Sequence, residues 1–353
     1  MKTITLAKLI ESTNIPASLI RATGRQSGGW ESFKEHAEDV TNHGASGGFS
    51  GWKTEPHRQA PRRLQGGRHG WRPGADRMQA AAAREADVPF LLSSASNDAL
   101  EEVVEVAPDH VWFQMYCTSD EHINADLVQR ARQAQAPVLV VSVDVPVNSN
   151  RERNKRNGFS RPFRMTPGVM LEALGHPAWV LRYLRTGGIP MMRNWLPYAK
   201  PGASAGEVAD LYGTLTPAPM VSWDHLRRIR DAWSGPLVIK GLLHPDDARE
   251  AVRLGANGLV VSNHGGRQLD AAPSPLEMLP SIRQAVGPEV HIILDSGIRR
   301  GSDVVIARCL GADSAIFGRP TLYGVTVAGQ AVTAVARELT GFVWDIARHV
   351  DAA

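Results

Sequence analysis

The 353-residue chain holds only two cysteines, Cys117 and Cys309, far apart and in no metal-ligand spacing. That scarcity excludes a disulfide framework and suits a reducing cytoplasm. No stretch approaches the ~18 consecutive apolar residues of a bilayer-spanning helix. Residues 1–20 also lack the basic start and apolar run of a signal peptide. Charge of one sign is nearly absent as an excess: 39 Lys/Arg stand against 36 Asp/Glu, a net +3. Residues 1–75 carry eleven of those cations against six anions, so the basic balance belongs to the N-terminal fifth. No basic stripe with interleaved aromatics follows it, which speaks against a nucleic-acid partner. With 33 Gly and 23 Pro the composition is that of a loop-bearing globular protein, not of a collagen-like or disordered chain.

The N-terminal fifth lacks something else. Between Arg21 and Arg77 the only Ile, Leu or Val residues are Val40 and Leu64, among eleven glycines and three of the nine tryptophans. Such a stretch cannot bury a continuous apolar face. Residues 1–74 therefore read as an anomalous segment, either a disordered extension or a stretch translated in a shifted reading frame.

From Ala75 onward the pattern becomes regular. Short Val- and Ile-rich runs alternate with helical periodicities, at 88–92, 111–116, 137–143, 236–240, 257–262, 290–295 and 314–317. Near-continuous apolar strands are buried on both faces, which points to a parallel sheet. Five of the six spacings between successive strands are those of βα units, while the long gap before 236 predicts a large insertion over 145–220. No dinucleotide-type glycine fingerprint follows a first strand, which argues against an open doubly wound sheet. The expected fold is α/β: a (β/α)8 TIM barrel over 75–353, with a long insertion after the fourth barrel strand. Its first strand, which would precede residue 75, is not readable.

Polar residues stand where the apolar runs stop. Ser93, Gln114, Tyr116, Ser142, Asp144, Lys240, His264, Arg267, Asp295, Gly318 and Arg319 all fall at these ends. In a parallel barrel those positions converge on the C-terminal face, where sites are built. A lysine at a buried strand end is costly without a purpose. Two local groups carry the most information. In Ser262-Asn-His-Gly-Gly-Arg-Gln268, a strand delivers His264 as a candidate general base and Arg267 as a fork for a carboxylate. Asp295-Ser-Gly-Ile-Arg-Arg-Gly301, with Phe317-Gly-Arg-Pro320, places glycines and Arg299 and Arg319 after the last two strands, a common phosphate pocket in such barrels.

On these motifs the chain resembles the FMN-dependent α-hydroxy acid dehydrogenase/oxidase family over roughly residues 75–330. Val145-Pro-Val-Asn148, Arg151-Glu-Arg153 and His176-Pro-Ala-Trp179 add to the likeness with its mandelate- and lactate-oxidising members. The resemblance implies FMN as cofactor and oxidation of an (S)-2-hydroxy acid to the 2-oxo acid. His264 would act as base with Asp144 as its partner, and Arg267 and Arg151 would bind the substrate carboxylate beside Tyr116. Ser93, Gln114, Ser142 and Lys240 would contact the flavin ring, and Asp295, Ser296, Gly297, Arg299, Gly318 and Arg319 its ribityl chain and phosphate. It also implies quinone or dioxygen as electron acceptor and a homo-oligomer, a tetramer. The sequence departs from the family before residue 75, where a substrate-binding tyrosine and the first strand belong; the first tyrosine here is Tyr116. Two other readings stand beside this one: a catalytically impaired flavin-binding relic, and another phosphate-binding flavin barrel enzyme. The His264/Arg267 pair speaks against the latter.

Within the insertion, residues 161–200 mix apolar and aromatic residues with Arg161, Arg164, Arg182, Arg185 and Arg193. That pattern predicts either a helix lying in a membrane surface or a lid packed over the site or against a subunit. The first would place the protein peripherally on the inner face of the cell membrane.

Overall fold

The computed structural model describes residues 74–147, 156, 167–185, 188–216 and 221–328. The elements run α1 (Ala75–Glu85), β1 (Phe90–Ser93), α2 (Leu100–Val106), β2 (Val111–Tyr116), α3 (Glu121–Gln133) and β3 (Leu139–Ser142). Within the insertion lie α4 (Pro167–Leu174), α5 (Pro177–Arg185), a single 3-10 turn (Leu196–Tyr198) and α6 (Ala205–Leu215). The βα alternation then resumes with α7 (Trp223–Ala232), β4 (Leu237–Leu242), α8 (Pro245–Arg253), β5 (Gly258–Val261), α9 (Pro275–Val286), β6 (His291–Leu294), α10 (Gly301–Cys309), β7 (Ser314–Ala315) and α11 (Arg319–Ala328).

The helices start where the sequence supplies caps. Asp120 accepts the N–H groups of His122 and Ile123 at the head of α3, whose Ile123, Leu127, Val128 and Ala131 form the buried stripe. Ser204 and Glu207 close a capping box at α6, with the Ser204 N–H 2.8 Å from the Glu207 carboxylate.

The seven strands form one parallel sheet in sequence order, each paired with the next. The sheet curls: α1, ahead of β1, meets α11, behind β7. Thr321 donates to Gln79 at 3.0 Å, and Val325 packs on Ala75 and Ala82. This is the layered architecture of a TIM barrel. The expected eighth strand, like the whole of 1–73, lies outside the described residues.

Strand periodicity sorts the side chains. Leu92, Phe113, Met115, Leu139, Val141, Leu237, Ile239, Leu259, Val261, Ile292 and Leu294 join the main core beneath the helices. The alternate positions, Leu91, Trp112, Val138, Val140, Val238, Val260, Ile293 and Ile316, form a separate cluster inside the curl. Two residues further along each strand from this inner layer stand Ser93, Gln114, Ser142, Lys240, Ser262, Asp295 and Gly318. Because successive side chains alternate faces, the site residues inherit the inward direction of the inner cluster.

Two strand ends differ from the sequence reading. Ser93 lies within β1, paired with Gln114, rather than after it. Lys240 does not close its strand: the chain bulges at Gly241 and pairing continues through Leu242 with Val261. Gly241 has φ +106°, and a Cβ there would lie 2.4 Å from the Asp144 Cβ. The bulge lets Asp144 approach the lysine's strand, and only glycine leaves it room.

The insertion's return is anchored to the barrel. Met192 and Trp195 are buried, whereas Met170, Leu171, Leu174, Leu181, Leu184 and Ile189 are exposed. Fully buried Asn194 accepts from the Leu100 N–H at 2.8 Å and donates to Ser96 at 2.7 Å. The Trp195 indole donates to the Ser94 carbonyl at 3.0 Å. Arg130, paired in two-pronged fashion with Glu101, donates to the Asn194 carbonyl at 2.9 Å. These contacts fasten the insertion to the loop that follows Ser93.

Asn194→Ala leaves the Leu100 N–H buried without an acceptor, and should cost about 2–3 kcal/mol. Urea unfolding read by tryptophan fluorescence checks this; an unchanged midpoint would show that the anchor is dispensable.

Candidate active site

At the mouth of the curl three strands deliver charged groups to one point. Lys240, from β4, lies 2.7 Å from the Asp295 carboxylate at the end of β6 and 3.7 Å from Asp144 Oδ2 after β3. All three side chains are largely buried. Ser262, two residues beyond Val260, stitches the group together. Its Oγ accepts from Lys240 Nζ at 3.0 Å and from the His264 N–H at 3.0 Å, and donates to Asp295 at 2.7 Å. Burial alone would raise the Asp295 carboxyl. The Lys240 charge and the bonds from Lys240, Ser262 and the Ser296 N–H outweigh that and hold it below the usual carboxylate range.

His264 completes the chain. Its Nδ1 is 3.0 Å from Asp144 Oδ1, so the carboxylate orients the ring and leaves Nε2 as the proton-accepting atom. The Tyr116 ring lies beside it, with centroids 6.3 Å apart. His264 has φ +59°, a left-handed conformation rare outside glycine, and Gly265 and Gly266 continue it at +67° each. Asn263 caps this turn by accepting the Gly266 N–H at 3.1 Å. Arg267 follows, exposed, where a carboxylate could reach it.

The remaining positions split into two groups. Gln114 and Ser142 are buried, and among the described residues Gln114 Nε2 and Ser142 Oγ are buried polar atoms with no hydrogen-bond partner, together with Asp144 Oδ2 and Gln268 Oε1. Gln114 sits opposite Ser93, and Ser142 between Tyr116 and Lys240 in the register. Gly297, Arg299, Gly318 and Arg319 instead form an open, exposed corner. Arg319 begins α11, and its guanidinium reaches the Gly265 carbonyl at 3.4 Å. Ser296 accepts the Gly265 N–H at 2.9 Å. Arg151 lies outside the described residues.

All described site residues of the sequence reading thus gather around one mouth. Asp295 is turned to Lys240, an ion pair that the reading did not draw. Ser262, Gly241 and Gln268 received no role from sequence. Ser262 was findable, because it continues the inward parity of Val260. Gly241 was not, because its role depends on how closely Asp144 approaches. Neither cysteine belongs to the site, and burial pushes the Cys117 thiol up to about 12, which leaves it unreactive.

The sequence profile described as FMN-dependent dehydrogenase matches residues 56–341. The L-lactate dehydrogenase of Pseudomonas aeruginosa (strain LESB58) is 43% identical over 257 residues, covering 72% of this chain and 66% of that protein, slightly under two thirds of its length. The L-lactate dehydrogenase of Xanthomonas campestris pv. campestris (strain 8004) is 41% identical over 268 residues, covering 74% of this chain and 68% of the relative. Among solved structures, the monotopic membrane protein (S)-mandelate dehydrogenase is similar with a TM-score of 0.74 and 36% identity, covering 80% of this chain and 74% of that one. A mandelate oxidase bound to 3,3-difluoro-2-hydroxy-3-phenylpropionic acid follows with a TM-score of 0.61 and 33% identity, covering 79% and 70%. A profile matched across most of the chain, and relatives of this identity, establish that the chain belongs to the FMN-dependent dehydrogenase family.

Proposed function

We propose that the chain oxidises an (S)-2-hydroxy acid of the lactate or mandelate type to the 2-oxo acid, with electrons passing on to a quinone or dioxygen. The observation that carries this reading is the His264–Asp144–Lys240–Asp295 chain at the mouth of a barrel whose neighbouring wall holds buried donors without partners.

The cofactor of the family is FMN, and the residues present fit it. Gln114 Nε2 and Ser142 Oγ are buried hydrogen-bonding groups awaiting a polar partner. At Gly318 a Cβ would meet nothing within 4 Å, so the corner beside Arg319 is open. Ser93, Gln114, Ser142 and Lys240 would hold the ring. Asp295, Ser296, Gly297, Arg299, Gly318 and Arg319 would hold the ribityl chain and phosphate, with Arg299 just ahead of α10 and Arg319 at the start of α11, helices whose N-termini favour an anion. When bound, FMN supplies the two-electron acceptor that no side chain of the protein can provide.

The chain's own residues would do the rest. Arg267, with Arg151, pairs with the substrate carboxylate and fixes which carbon faces inward. His264 Nε2 takes a proton from the substrate, and Asp144 steadies the imidazolium through Nδ1. Tyr116 flanks the imidazole and is placed to hydrogen-bond the α-oxygen. Lys240 sets positive charge where negative charge arrives with the electrons, which favours the transition state over the bound substrate. A homotetramer remains part of the same reading.

Residues 167–189 suit a peripheral membrane contact. α4 and α5 expose Met170, Leu171, Leu174, Leu181 and Leu184 beside the exposed Arg185. A structural relative is described as monotopic. No helix among the described residues is long and apolar enough to cross a membrane. An amphipathic surface of this kind would bind an anionic leaflet in plane.

Replacing His264 with Gln should leave FMN bound but slow flavin reduction by (S)-mandelate or L-lactate roughly 10²-fold or more. Stopped-flow reduction at the unaltered rate would sink the assignment of the base. Lys240→Met should lower the reduction rate more than substrate affinity. It also leaves Asp295 buried without its cation, so a drop in stability is expected alongside. Affinity collapsing while the rate holds would show the role to be wrong. For the surface contact, the intact chain should float with anionic liposomes at low salt. The variant with Leu171, Leu174, Leu181 and Leu184 replaced by Gln should stay in the soluble fraction; no co-flotation of the intact chain makes the helices a lid or subunit contact.

A further inference from the structure

The loops after β5 and β6 meet in an uncommon way. Five residues there have positive φ: His264, Gly265 and Gly266 in the first loop, Ser296 and Gly297 in the second. Glycine adopts this conformation without strain, but His264 at +59° and Ser296 at +82° do not. A conformation that L side chains rarely adopt is held only where the surroundings enforce it. At His264 the reason is the imidazole itself. At Ser296 the side chain must offer something that glycine would not.

Its contacts say what that is. Ser296 Oγ accepts the Gly265 N–H at 2.9 Å and lies 3.5 Å from Ser262 Oγ. The Ser296 N–H meanwhile donates to Asp295 Oδ1 at 2.7 Å. On its other side, residue Gly265 is held through its carbonyl by Arg319 Nη2 at 3.4 Å. The residue directly after His264 is thus gripped from the ends of the two following strands, at its N–H from β6 and at its carbonyl from β7. A peptide held at that point cannot rotate without swinging the histidine, because the two share the Cα–C and peptide bonds.

We propose that Ser296 is a positioning residue for His264: its hydroxyl, by accepting the Gly265 N–H, holds the left-handed turn that aims the imidazole into the mouth of the barrel. The inference rests on His264 being the base of the proposed reaction, and it predicts a property of the loop that exists without any reaction. Ser296 does not itself touch the transferred proton. It keeps Nδ1 on Asp144 and Nε2 facing the substrate side.

Two variants test it, Ser296→Ala and Ser296→Gly, both in the FMN-loaded protein. The glycine variant removes the hydroxyl and the backbone strain together, so its melting temperature should match or exceed that of the parent. In both, amide exchange over residues 262–268 should quicken about tenfold, as one protecting hydrogen bond is lost. The His264 ring-nitrogen signals in 15N NMR should lose the signature of a fixed Nδ1–Asp144 bond. At saturating FMN, reduction by L-lactate or (S)-mandelate should slow roughly tenfold at unaltered KM, a loss that any change in FMN occupancy does not account for and the mark of a misplaced base. Unchanged exchange over 262–268 with unchanged ring-nitrogen signals overturns the proposal. A rate loss that follows FMN release in step also overturns it, since Ser296 then serves the cofactor alone. Should the parent protein oxidise no 2-hydroxy acid, the proposed function fails, and the exchange and imidazole measurements still decide the role of Ser296.

Discussion

The Lys240 ammonium is the constraint around which this mouth is organised. Its side chain is only 9% exposed, and a charge so far from water is tolerable only among opposite charges and hydrogen-bond acceptors. Asp144, Asp295 and Ser262 supply them from three different strand ends. Meeting that requirement draws β3, β4, β5 and β6 to a common height and demands a bulge at Gly241 so that Asp144 can come close. With two carboxylates to one ammonium, the group has room for one more positive charge. In the proposed reaction that charge would form on His264, whose Nδ1 lies 3.0 Å from Asp144 Oδ1.

The backbone beside this cluster is strained in two loops. Left-handed residues gather at 264–266 and 296–297, in loops that follow strands buried on both faces. The rigid parallel sheet over-determines where each loop starts and ends, so the cost of an unfavourable φ is borne by the packing of the core beneath. The loops need not be stable on their own. They are held by side-chain to main-chain bonds: Asn263 to Gly266 and Ser262 to His264 within the loop after β5, and Ser296 to Gly265 across from the end of β6.

The insertion adds a second link between surface and site. Its returning segment is locked by Asn194, Trp195 and Arg130 to the loop that follows Ser93, while α4 and α5 leave leucines in solvent. An apolar surface that docks would therefore be tied, through few and buried bonds, to the mouth of the barrel beside Ser93. The same bonds give the insertion a fixed seat whatever its helices meet.

The seven described strands, their parallel order and the polar residues at their ends were legible because a doubly buried strand must be apolar throughout, and a polar residue ending it stands out. His264, Arg267, Lys240, Asp295 and Asp144 could be named on that ground, and the pairing of Asp144 with His264 through the family's pattern. The expectations for Arg151 and the first strand fall outside the described residues. What periodicity could not say is which ends touch. That Asp295 turns to Lys240, that Ser262 bridges both, that the strand runs on past Lys240 through a bulge, and that Met192 and Trp195 are core rather than surface, all depend on contacts between residues far apart in the chain. The sequence by itself determined the alternation of elements and the chemical types at their ends, since these follow from local period and burial. Tertiary structure alone decided the pairing of the charges, because it is distance across the sheet, not spacing along the chain, that sets which carboxylate answers a buried ammonium.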